Sequence, residues 1–208
     1  MKAKFITLDG IDGAGKSTNL ETIRLWFEQH QLPVLFTREP GGTAVGEALR
    51  TILLDSHSQL NARTETLLMF AARQQHLDTV IKPALAAGKH VVSDRFTDAT
   101  FAYQGGGREI PLSDIAILEN WVQHGFCPDM TLLLDISLSV AQQRVAQHSN
   151  PDRFEQLDSA FFERTRKIYL DRAATAPQRY RIINSNQPLA EVAAQINQSL
   201  SQLFGYTA

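Results

Sequence analysis

The fold is decided near the N-terminus by the stretch Gly10-Ile11-Asp12-Gly13-Ala14-Gly15-Lys16-Ser17, which follows the apolar run Phe5-Ile6-Thr7-Leu8. This stretch matches the pattern Gly-x-x-x-x-Gly-Lys-Ser completely, after a predicted strand and at the start of a predicted helix. Backbone N–H groups and the helix N-terminus of such a loop (P-loop) form a hollow that binds phosphate. We therefore predict that Gly10 to Thr18 hold the phosphates of a nucleoside triphosphate. Lys16 is expected to reach the β- and γ-phosphates, and the Ser17 hydroxyl to bind Mg²⁺.

The rest of the chain alternates short apolar runs with helical patterns. Further strands are predicted at 33–36, 90–93, 130–136 and 181–183, and helices at 17–30, 45–54, 63–87, 112–123, 140–147, 159–174 and 189–203. The long helix at 63–87 is predicted to bend before Pro83. Strands separated by helices require crossover connections. The pattern predicts an α/β fold of the P-loop NTPase type, with a doubly wound five-stranded parallel sheet flanked by helices. Residues 1–208 are expected to form a single domain.

The bulk composition excludes several classes of protein. The chain has 208 residues, of which 43% are hydrophobic and 20% charged, as in an ordinary globular domain. A net charge of −2 provides no basic surplus for a nucleic-acid polymer. No apolar stretch reaches the roughly 18 residues of a membrane span, and the N-terminal apolar run is too short for a signal peptide. We therefore expect a cytoplasmic protein that binds neither nucleic-acid polymers nor membranes.

Cysteine and histidine give no sign of a metal centre. The single cysteine, Cys127, excludes a disulfide framework and a CxxC pair, and it suits a reducing compartment. We expect its small side chain to be packed in the interior. The six histidines show no metal-ligand spacing, so each is expected to be a surface or packing residue.

A phosphate loop does not define a reaction by itself, because GTPases, motor ATPases and kinases share it. The guanine-binding sequence Asn-Lys-x-Asp is absent. A kinase needs a second pocket for the acceptor, and three groups of residues are candidates: Thr37-Arg38-Glu39-Pro40-Gly41-Gly42-Thr43, Asp94-Arg95-Phe96 and Thr100-Phe101-Ala102-Tyr103-Gln104-Gly105-Gly106-Gly107-Arg108. Taken singly, they also allow simpler interpretations, as a Pro-Gly turn, a surface ion pair and a flexible glycine turn.

Together, and in this order behind the phosphate loop, these groups resemble the thymidylate kinase (dTMP kinase) family. The resemblance covers nearly the whole chain and extends to Asp152-Arg153-Phe154-Glu155-Gln156 and Phe161-Phe162-Glu163-Arg164. It implies transfer of a phosphoryl group from ATP to dTMP with Mg²⁺, a cis Glu39-Pro40 bond, and a homodimer built from helices such as 63–87. The alternatives are another nucleoside monophosphate or deoxynucleoside kinase of this fold, and a nucleotide-binding regulator without acceptor-dependent turnover.

The resemblance also implies roles for the charged residues around the phosphates. Arg95 looks like the family arginine that contacts both the dTMP phosphate and the transferring group. Asp12 looks like the carboxylate near the sugar 3′-hydroxyl. Asp94 and Ser17, with Asp9 as a further carboxylate, are expected to hold Mg²⁺ and its waters. No general base is needed, because the acceptor phosphate is already a nucleophile.

A mobile lid is expected at about 147–156. Some family members carry a basic residue inside the phosphate loop, whereas the inner positions here are not basic. The compensating cation is therefore expected in the lid, where Arg153 fits and Arg144 can assist. The catalytic candidates are Lys16, Arg95, Arg153 and Asp12.

For the acceptor nucleotide, the resemblance implies that Arg38 clamps the phosphate and that Arg73 donates to thymine O4. The family phenylalanine that stacks on the base commonly lies four residues before this arginine. Here Met69 occupies that position and Phe70 lies three before, so either residue is a candidate for the base contact. Three further candidates complete the set: Thr100 and Gln104 for the pyrimidine edge, and Tyr103 for excluding a ribose hydroxyl.

Overall fold

The computed structural model describes residues 2–146, 153–154 and 157–206, and it shows an α/β architecture. One sheet is formed by five parallel strands: β1 Phe5–Asp9, β2 Val34–Arg38, β3 His90–Asp94, β4 Met130–Asp135 and β5 Tyr180–Asn184. Their order across the sheet is β2-β3-β1-β4-β5. The predicted five-stranded parallel sheet is confirmed.

The strand order places the phosphate loop at the switch point of the sheet. β1 lies between β3 and β4, and Leu8 is paired with Asp94 on one side and Leu132 on the other. Ligands of open α/β sheets bind outside the carboxyl ends of the strands, where the strand order reverses. The loop that follows β1 and the residues that end β3 therefore meet at one edge.

Helices connect the strands and cover the sheet. They are α1 Lys16–Gln29, α2 Ala44–Leu54, α3 Ala62–His76, α4 Lys82–Ala86, α5 Thr97–Thr100, α6 Leu112–Gln123, α7 Leu138–Val145, α8 Ser159–Thr175 and α9 Leu189–Phe204. A π-helical segment, Leu77–Ile81, joins α3 to α4. The predicted helix at 63–87 is thus continuous, with its irregularity directly before Pro83, whose ring cannot fit a regular α-helical turn.

Capping side chains determine where three of the helices begin. The side chains of Thr43, Asn61 and Asp158 accept hydrogen bonds from backbone N–H groups in the first turns of α2, α3 and α8. Such bonds satisfy donors that a helix start otherwise leaves free. α3 carries the candidate site residues Met69, Phe70 and Arg73, so the Asn61 cap helps to place the site.

The core lies in two layers, one on each face of the sheet. Consecutive strand residues belong to different buried clusters, as Phe5 and Ile6 of β1 and Val91 and Val92 of β3 show. One cluster includes side chains of α1 and α9, and the other includes side chains of α3 and α6. This alternation follows from the strand repeat of two, and it explains why the strands read as continuous apolar runs.

The segment after β3 differs from the flexible turn that its glycines suggest. α5 continues into a π-helical segment, Phe101–Gly107, in which every residue is buried. At Gly106 a Cβ would lie 2.6 Å from the Arg164 carbonyl oxygen of α8. The glycines therefore allow α8 to approach closely, and the interpretation as a flexible turn is wrong.

Three further predictions concern single features. The Glu39-Pro40 peptide bond is cis, as the resemblance implies. Cys127 is exposed, so the prediction that it is packed is wrong; it lies in the loop between α6 and β4, and such loops run over the surface. The predicted lid at 147–156 lies outside the described residues apart from 153–154.

Within the described chain, no helix combines the length and apolar character needed to span a membrane.

Candidate active site

The phosphate loop is a tight backbone turn between β1 and α1. Gly10, Gly13 and Gly15 have positive φ angles of 147°, 83° and 90°. At Gly13 a Cβ would lie 2.5 Å from the Ala141 carbonyl oxygen, so α7 leaves no room for a side chain there. Gly15 begins α1 without a side-chain cap, which leaves the N–H groups of the helix start for an anion.

The Lys16 ammonium group lies over this turn. Its Nζ is 3.3 Å from the carbonyl oxygens of both Gly10 and Ile11, and 3.6 Å from Asp12 Oδ1. Burial, together with the nearby Arg95 charge, lowers the pKa of Lys16. A phosphate group bound in the loop would oppose both effects and would provide stronger acceptors than the two carbonyl groups.

Arg95 connects the end of β3 to the phosphate loop. Its backbone has a φ of 66°, which is uncommon outside glycine. Nη2 donates to Asp12 Oδ1 at 2.5 Å and to the Tyr103 hydroxyl at 2.9 Å, and Nη1 donates to the Gly10 carbonyl at 3.1 Å. Burial alone would raise the pKa of Asp12, but Arg95 and Lys16 lower it below its usual value. The structure thus brings together Asp12, Arg95 and Tyr103, all predicted from sequence.

The carboxylates at the ends of β1 and β3 retain free acceptor atoms. Asp9 Oδ2 and Asp94 Oδ1 are buried and have no hydrogen-bond partner in the described chain. Burial raises the pKa of Asp9 to about 7, and the Asp98 carboxylate adds to the shift. A cation at this edge would favour the charged carboxylate.

The described residues form no cluster of three or more His, Cys, Asp or Glu suited to a metal. Mg²⁺ does not require such a cluster, because it is usually held by one or two carboxylates and substrate phosphates. Asp94, Ser17 and Asp9 therefore fit a Mg²⁺ ion that binds with a nucleotide. Ser17 and Asp94 line the cavity described below, whereas Asp9 is fully buried and does not.

A single cavity of about 740 Å³ connects these groups to the acceptor candidates. We call its phosphate-loop side the donor half, lined by Asp12, Gly13, Gly15, Lys16, Ser17 and Thr18. We call the other side the acceptor half, lined by Arg38, Glu39, Arg50, Met69, Arg73, Thr100, Tyr103 and Gln104. Asp94 and Arg95, at the end of β3, line the same cavity. Its volume suits nucleotide-sized ligands. Of the predicted loop residues, Gly10, Ile11 and Ala14 do not line it.

Arg73 offers a free hydrogen-bond donor in the acceptor half. Its Nε donates to Glu39 Oε2 at 2.7 Å, and its Nη2 donates to Thr100 Oγ1 at 3.0 Å. The guanidinium lies 4.8 Å and 5.1 Å from the ring centres of Phe70 and Phe96. Nη1 is buried without a hydrogen-bond partner in the described chain. An unpaired buried donor is costly, so this atom is a candidate contact for a ligand oxygen.

The two candidates for the base contact occupy different environments. Met69 lines the cavity, whereas Phe70 is 2% exposed and packs in the core cluster under α3. The arrangement therefore favours Met69 for contact with a base and Phe70 for support of Arg73. Gln104 also lines the cavity, and its Nε2 donates at 2.8 Å to Glu65. Glu65 is a fully buried carboxylate that the sequence did not single out.

Two arginines supply positive charge to the acceptor half. Arg38 is half exposed and forms a 2.9 Å ion pair with Glu47. Arg50 donates to the Pro40 carbonyl at 2.9 Å and was not predicted from sequence. Burial lowers the pKa of Arg50, and the nearby Arg38 charge adds to the shift. The available signal was its spacing, since Arg50 follows Glu47 by three residues on one face of α2.

The candidate lid cations occupy different places. Arg144 lines the cavity, and its Nη1 donates to the Gly13 carbonyl at 3.2 Å, so it lies against the phosphate loop. Arg153 forms a 2.5 Å ion pair with Glu65 and donates to the Leu53 carbonyl at 3.2 Å. Arg153 does not line the cavity.

A phosphate loop that shares a cavity with a second, arginine-rich half defines a nucleotide-dependent phosphotransferase. The family profile described as thymidylate kinase matches residues 8–196. The chain belongs to the thymidylate kinase family.

Curated relatives and a solved structure agree with this assignment. A thymidylate kinase of Neisseria gonorrhoeae is 62% identical over 205 residues, covering 99% of this chain and 100% of the relative. A thymidylate kinase of Nitrosospira multiformis is 52% identical, covering 98% of this chain and 100% of the relative. The crystal structure of thymidylate kinase from Ehrlichia chaffeensis has a TM-score of 0.78 and 32% identity, covering 97% of this chain and 99% of that one.

The comparisons with known proteins test the predictions of family, fold and activity made from the sequence. The predicted family, fold class, phosphotransferase activity and phosphorylation of dTMP are confirmed, and another nucleoside kinase of the same fold is not favoured. The family uses ATP and generally Mg²⁺. The roles of individual residues, the lid and the homodimer stay predictions.

Proposed function

We propose that this chain transfers the γ-phosphoryl group of ATP to dTMP, giving ADP and dTDP, within the cavity between the donor and acceptor halves. The observation that carries the proposal is the buried, unpartnered Nη1 of Arg73, a residue that lines the same cavity as the phosphate loop. A thymine base presents an acceptor oxygen at C4 that satisfies this donor. Adenine and cytosine present an amino group at the corresponding position and leave it unpaired.

Phosphoryl transfer between two nucleotides requires positioning and charge neutralisation more than acid–base chemistry. The loop N–H groups and Lys16 bind the donor phosphates, and Arg38 and Arg50 bind the acceptor phosphate. Arg95 bridges the two, and the Asp12 carboxylate holds its guanidinium in place.

Ser17 and Asp94, with Asp9, would hold Mg²⁺, which offsets negative charge on the phosphate oxygens when it is bound. Arg144 adds positive charge beside the loop. Arg153 is the proposed lid cation; to reach the donor phosphates it must leave its ion pair with Glu65.

The sugar and base of the acceptor would contact uncharged side chains. Tyr103 is fixed by hydrogen bonds with Asp12 and Arg95. A ring held in this way forms a rigid wall, which we propose excludes a ribose 2′-hydroxyl. Met69 would pack on the base, and Thr100 and Gln104 would contact its polar edge.

The test is ADP formation from MgATP with each of dTMP, UMP, CMP and AMP. We expect rapid turnover with dTMP and little with the other acceptors. Equal rates with dTMP and UMP would remove the proposed thymidine pocket, and ADP formation without any acceptor would favour a nucleotide-hydrolysing regulator. The same assay without Mg²⁺ should show no turnover.

We also propose a homodimer formed through α3 and α6. These helices pack together, and they carry exposed apolar side chains, among which Ile117 and Trp121 are 68% and 72% exposed. Large apolar side chains that are exposed on two neighbouring helices are candidates for an interaction surface, because contiguous apolar patches mark such sites. Light scattering of the purified chain would test this, and a monomer at micromolar concentration would contradict it.

We also propose that the enzyme is a single domain that works in the cytoplasm. Thiols stay reduced in that compartment, and the exposed free thiol of Cys127 is compatible with it.

A further inference from the structure

His76, the last residue of α3, is 0% exposed and takes no part in the chemistry described above. Both ring nitrogens make hydrogen bonds. Nδ1 lies 3.0 Å from Glu39 Oε1, and Nε2 lies 2.6 Å from Thr37 Oγ1. A buried imidazole with both nitrogens bonded is fixed in position and orientation.

The hydrogen bonds form a directed chain that ends at the cavity. A carboxylate oxygen only accepts, so the nitrogen facing Glu39 must carry a proton, and in the neutral ring Nε2 then accepts from the Thr37 hydroxyl. The other oxygen of Glu39 accepts from Arg73 Nε at 2.7 Å. The chain of hydrogen bonds therefore runs from Thr37 on β2 through His76 and Glu39 to the Arg73 guanidinium, whose Nη1 has no partner in the described chain.

The turn that carries Glu39 closes tightly over the ring. At Gly42, where φ is 75°, a Cβ would lie 2.5 Å from His76 Nε2 and 2.6 Å from Thr37 Oγ1. The backbone N–H of Glu39 donates to the Asp94 carbonyl at 2.9 Å. The carboxylate is thus held by its backbone on one side and by the imidazole on the other.

We propose that His76 is a positioning residue for recognition of the acceptor base. By fixing the Glu39 carboxylate, it fixes the plane of the Arg73 guanidinium, and so the direction in which Nη1 points. A planar guanidinium that is bonded at Nε to an immobile carboxylate and at Nη2 to Thr100 has one orientation. Without His76, Arg73 keeps its contact with Thr100 but loses the rigid partner at Nε. This inference rests on the proposed function, in which Nη1 donates to O4 of thymine.

The test compares two acceptors that differ at C4 of the base. They are dTMP, which has an oxygen there, and 5-methyl-dCMP, which has an amino group that cannot accept from Nη1. We measure the ratio of their kcat/KM values, together with KM for ATP. In His76→Leu we expect this ratio to fall about tenfold, since the orientation of one hydrogen bond is lost, with KM for ATP within about twofold of the starting enzyme.

Graded variants separate positioning from general stability. In His76→Asn the amide nitrogen can take the place of Nδ1, and we expect most of the ratio to return. Thr37→Val removes only the hydroxyl at the outer end of the chain and should lower the ratio about threefold. The matched control is His90→Leu, which removes another buried histidine, bonded to the Lys4 backbone. It should lower the melting temperature and leave the ratio unchanged.

The outcomes distinguish this inference from the proposed function. If the starting enzyme does not prefer dTMP over 5-methyl-dCMP, the proposed contact with O4 fails. If it does prefer dTMP, and His76→Leu and Thr37→Val both keep the full ratio, the positioning role of His76 is overturned. Should His76→Leu fail to fold, Thr37→Val decides the matter alone.

Discussion

The donor and acceptor halves of the cavity are built in opposite ways. The donor half is one continuous turn in which backbone groups form the binding surface; Gly10, Gly13 and Gly15 have positive φ angles, and the first two have no room for a side chain. The acceptor half is assembled from side chains on separate elements: Arg50 on α2, Met69 and Arg73 on α3, Thr100 on α5 and Gln104 beyond it. The first surface depends on chain conformation and the second on the packing of the whole fold.

This difference determines how each half responds to mutation. A backbone cradle binds phosphate through N–H groups that substitutions other than proline leave in place, so its vulnerable points are its glycines and Lys16. The acceptor half depends on side chains that other side chains hold in place, as the buried Glu39 carboxylate holds Arg73. Removing a supporting carboxylate should therefore disturb acceptor recognition while leaving ATP binding largely intact. The following substitutions test this contrast.

The largest effect is expected for Lys16→Ala in the donor half. Loss of its charge beside the transferring phosphoryl group should lower kcat about a thousandfold. The fold should persist, because among the described residues the Lys16 ammonium contacts loop carbonyls and Asp12 rather than the core. Steady-state kinetics and the melting temperature measure the two effects. Lys82→Ala, which removes an exposed ion pair with Asp78, is the control and should change neither. An active Lys16→Ala enzyme would mean that the donor phosphates bind elsewhere.

In the acceptor half, Arg50→Ala should raise KM for dTMP about tenfold, since a charge-assisted contact to the acceptor phosphate is lost. KM for ATP should stay within about twofold if the two halves act separately. Arg24→Ala, an exposed arginine paired with Glu21, provides the control. An equal rise in both KM values would show that Arg50 serves the two halves together.

The sequence predicted the donor half nearly completely, because its binding groups lie in one run of eight residues with a recognisable glycine pattern. The strand order could not be read from that run, yet it brings Arg95 to the loop. Glu65 and His76 were missed for the same physical reason. Each bonds to partners distant in the chain, Gln104 and Glu39, and the spacing of residues along the sequence does not reveal such contacts.

Likewise, the buried π-helical segment at Phe101–Gly107 was open to interpretation as a flexible turn. Glycines that permit close packing and glycines that permit flexibility look alike in a sequence.

An effect of similar size separates the two candidate lid cations. Arg144→Ala should lower kcat/KM for ATP about tenfold without changing KM for dTMP, because its hydrogen bonds to described residues go to the Gly13 carbonyl of the phosphate loop and the Ser185 carbonyl. Arg153→Ala should lower kcat more than it raises KM for dTMP, as expected for a cation that acts when the donor is covered. An unchanged kcat in Arg153→Ala would leave Arg144 as the cation beside the donor phosphates.

The smallest effect on catalysis is expected for substitution of Asp98, which lies on α5 with Thr100 but does not line the cavity. Its carboxylate accepts from Arg172 Nε at 2.6 Å and from Arg179 at 2.5 Å and 3.0 Å. These bonds tie α5, which carries Thr100, to α8 and to the residue before β5. Asp98 is 1% exposed, so its substitution leaves two arginines without their buried partner.

The pH dependence of the free energy of unfolding shows how much the Asp98 carboxylate contributes to stability. Burial alone would raise the pKa of Asp98, but hydrogen bonds from Arg179 and the charge of Arg172 lower it from 3.8 to about 2. A carboxylate whose pKa is lower in the folded than in the unfolded protein stabilises the fold at pH values above its pKa in the unfolded chain. This stabilisation is lost as the pH falls toward the pKa in the folded protein. Asp98→Asn should therefore lower the free energy of unfolding by about 2 kcal/mol at pH 7, with the difference shrinking below about pH 4.

Urea denaturation at several pH values measures that difference, with Asp171→Asn as the control. Asp171 forms an exposed ion pair with Lys167, and its loss should cost less than about 0.5 kcal/mol at any pH. If Asp98→Asn also raises KM for dTMP while KM for ATP stays constant, the position of α5 limits acceptor binding. A constant KM for both substrates would instead show that the remaining contacts of α5 hold Thr100 in place when the bonds of Asp98 are lost.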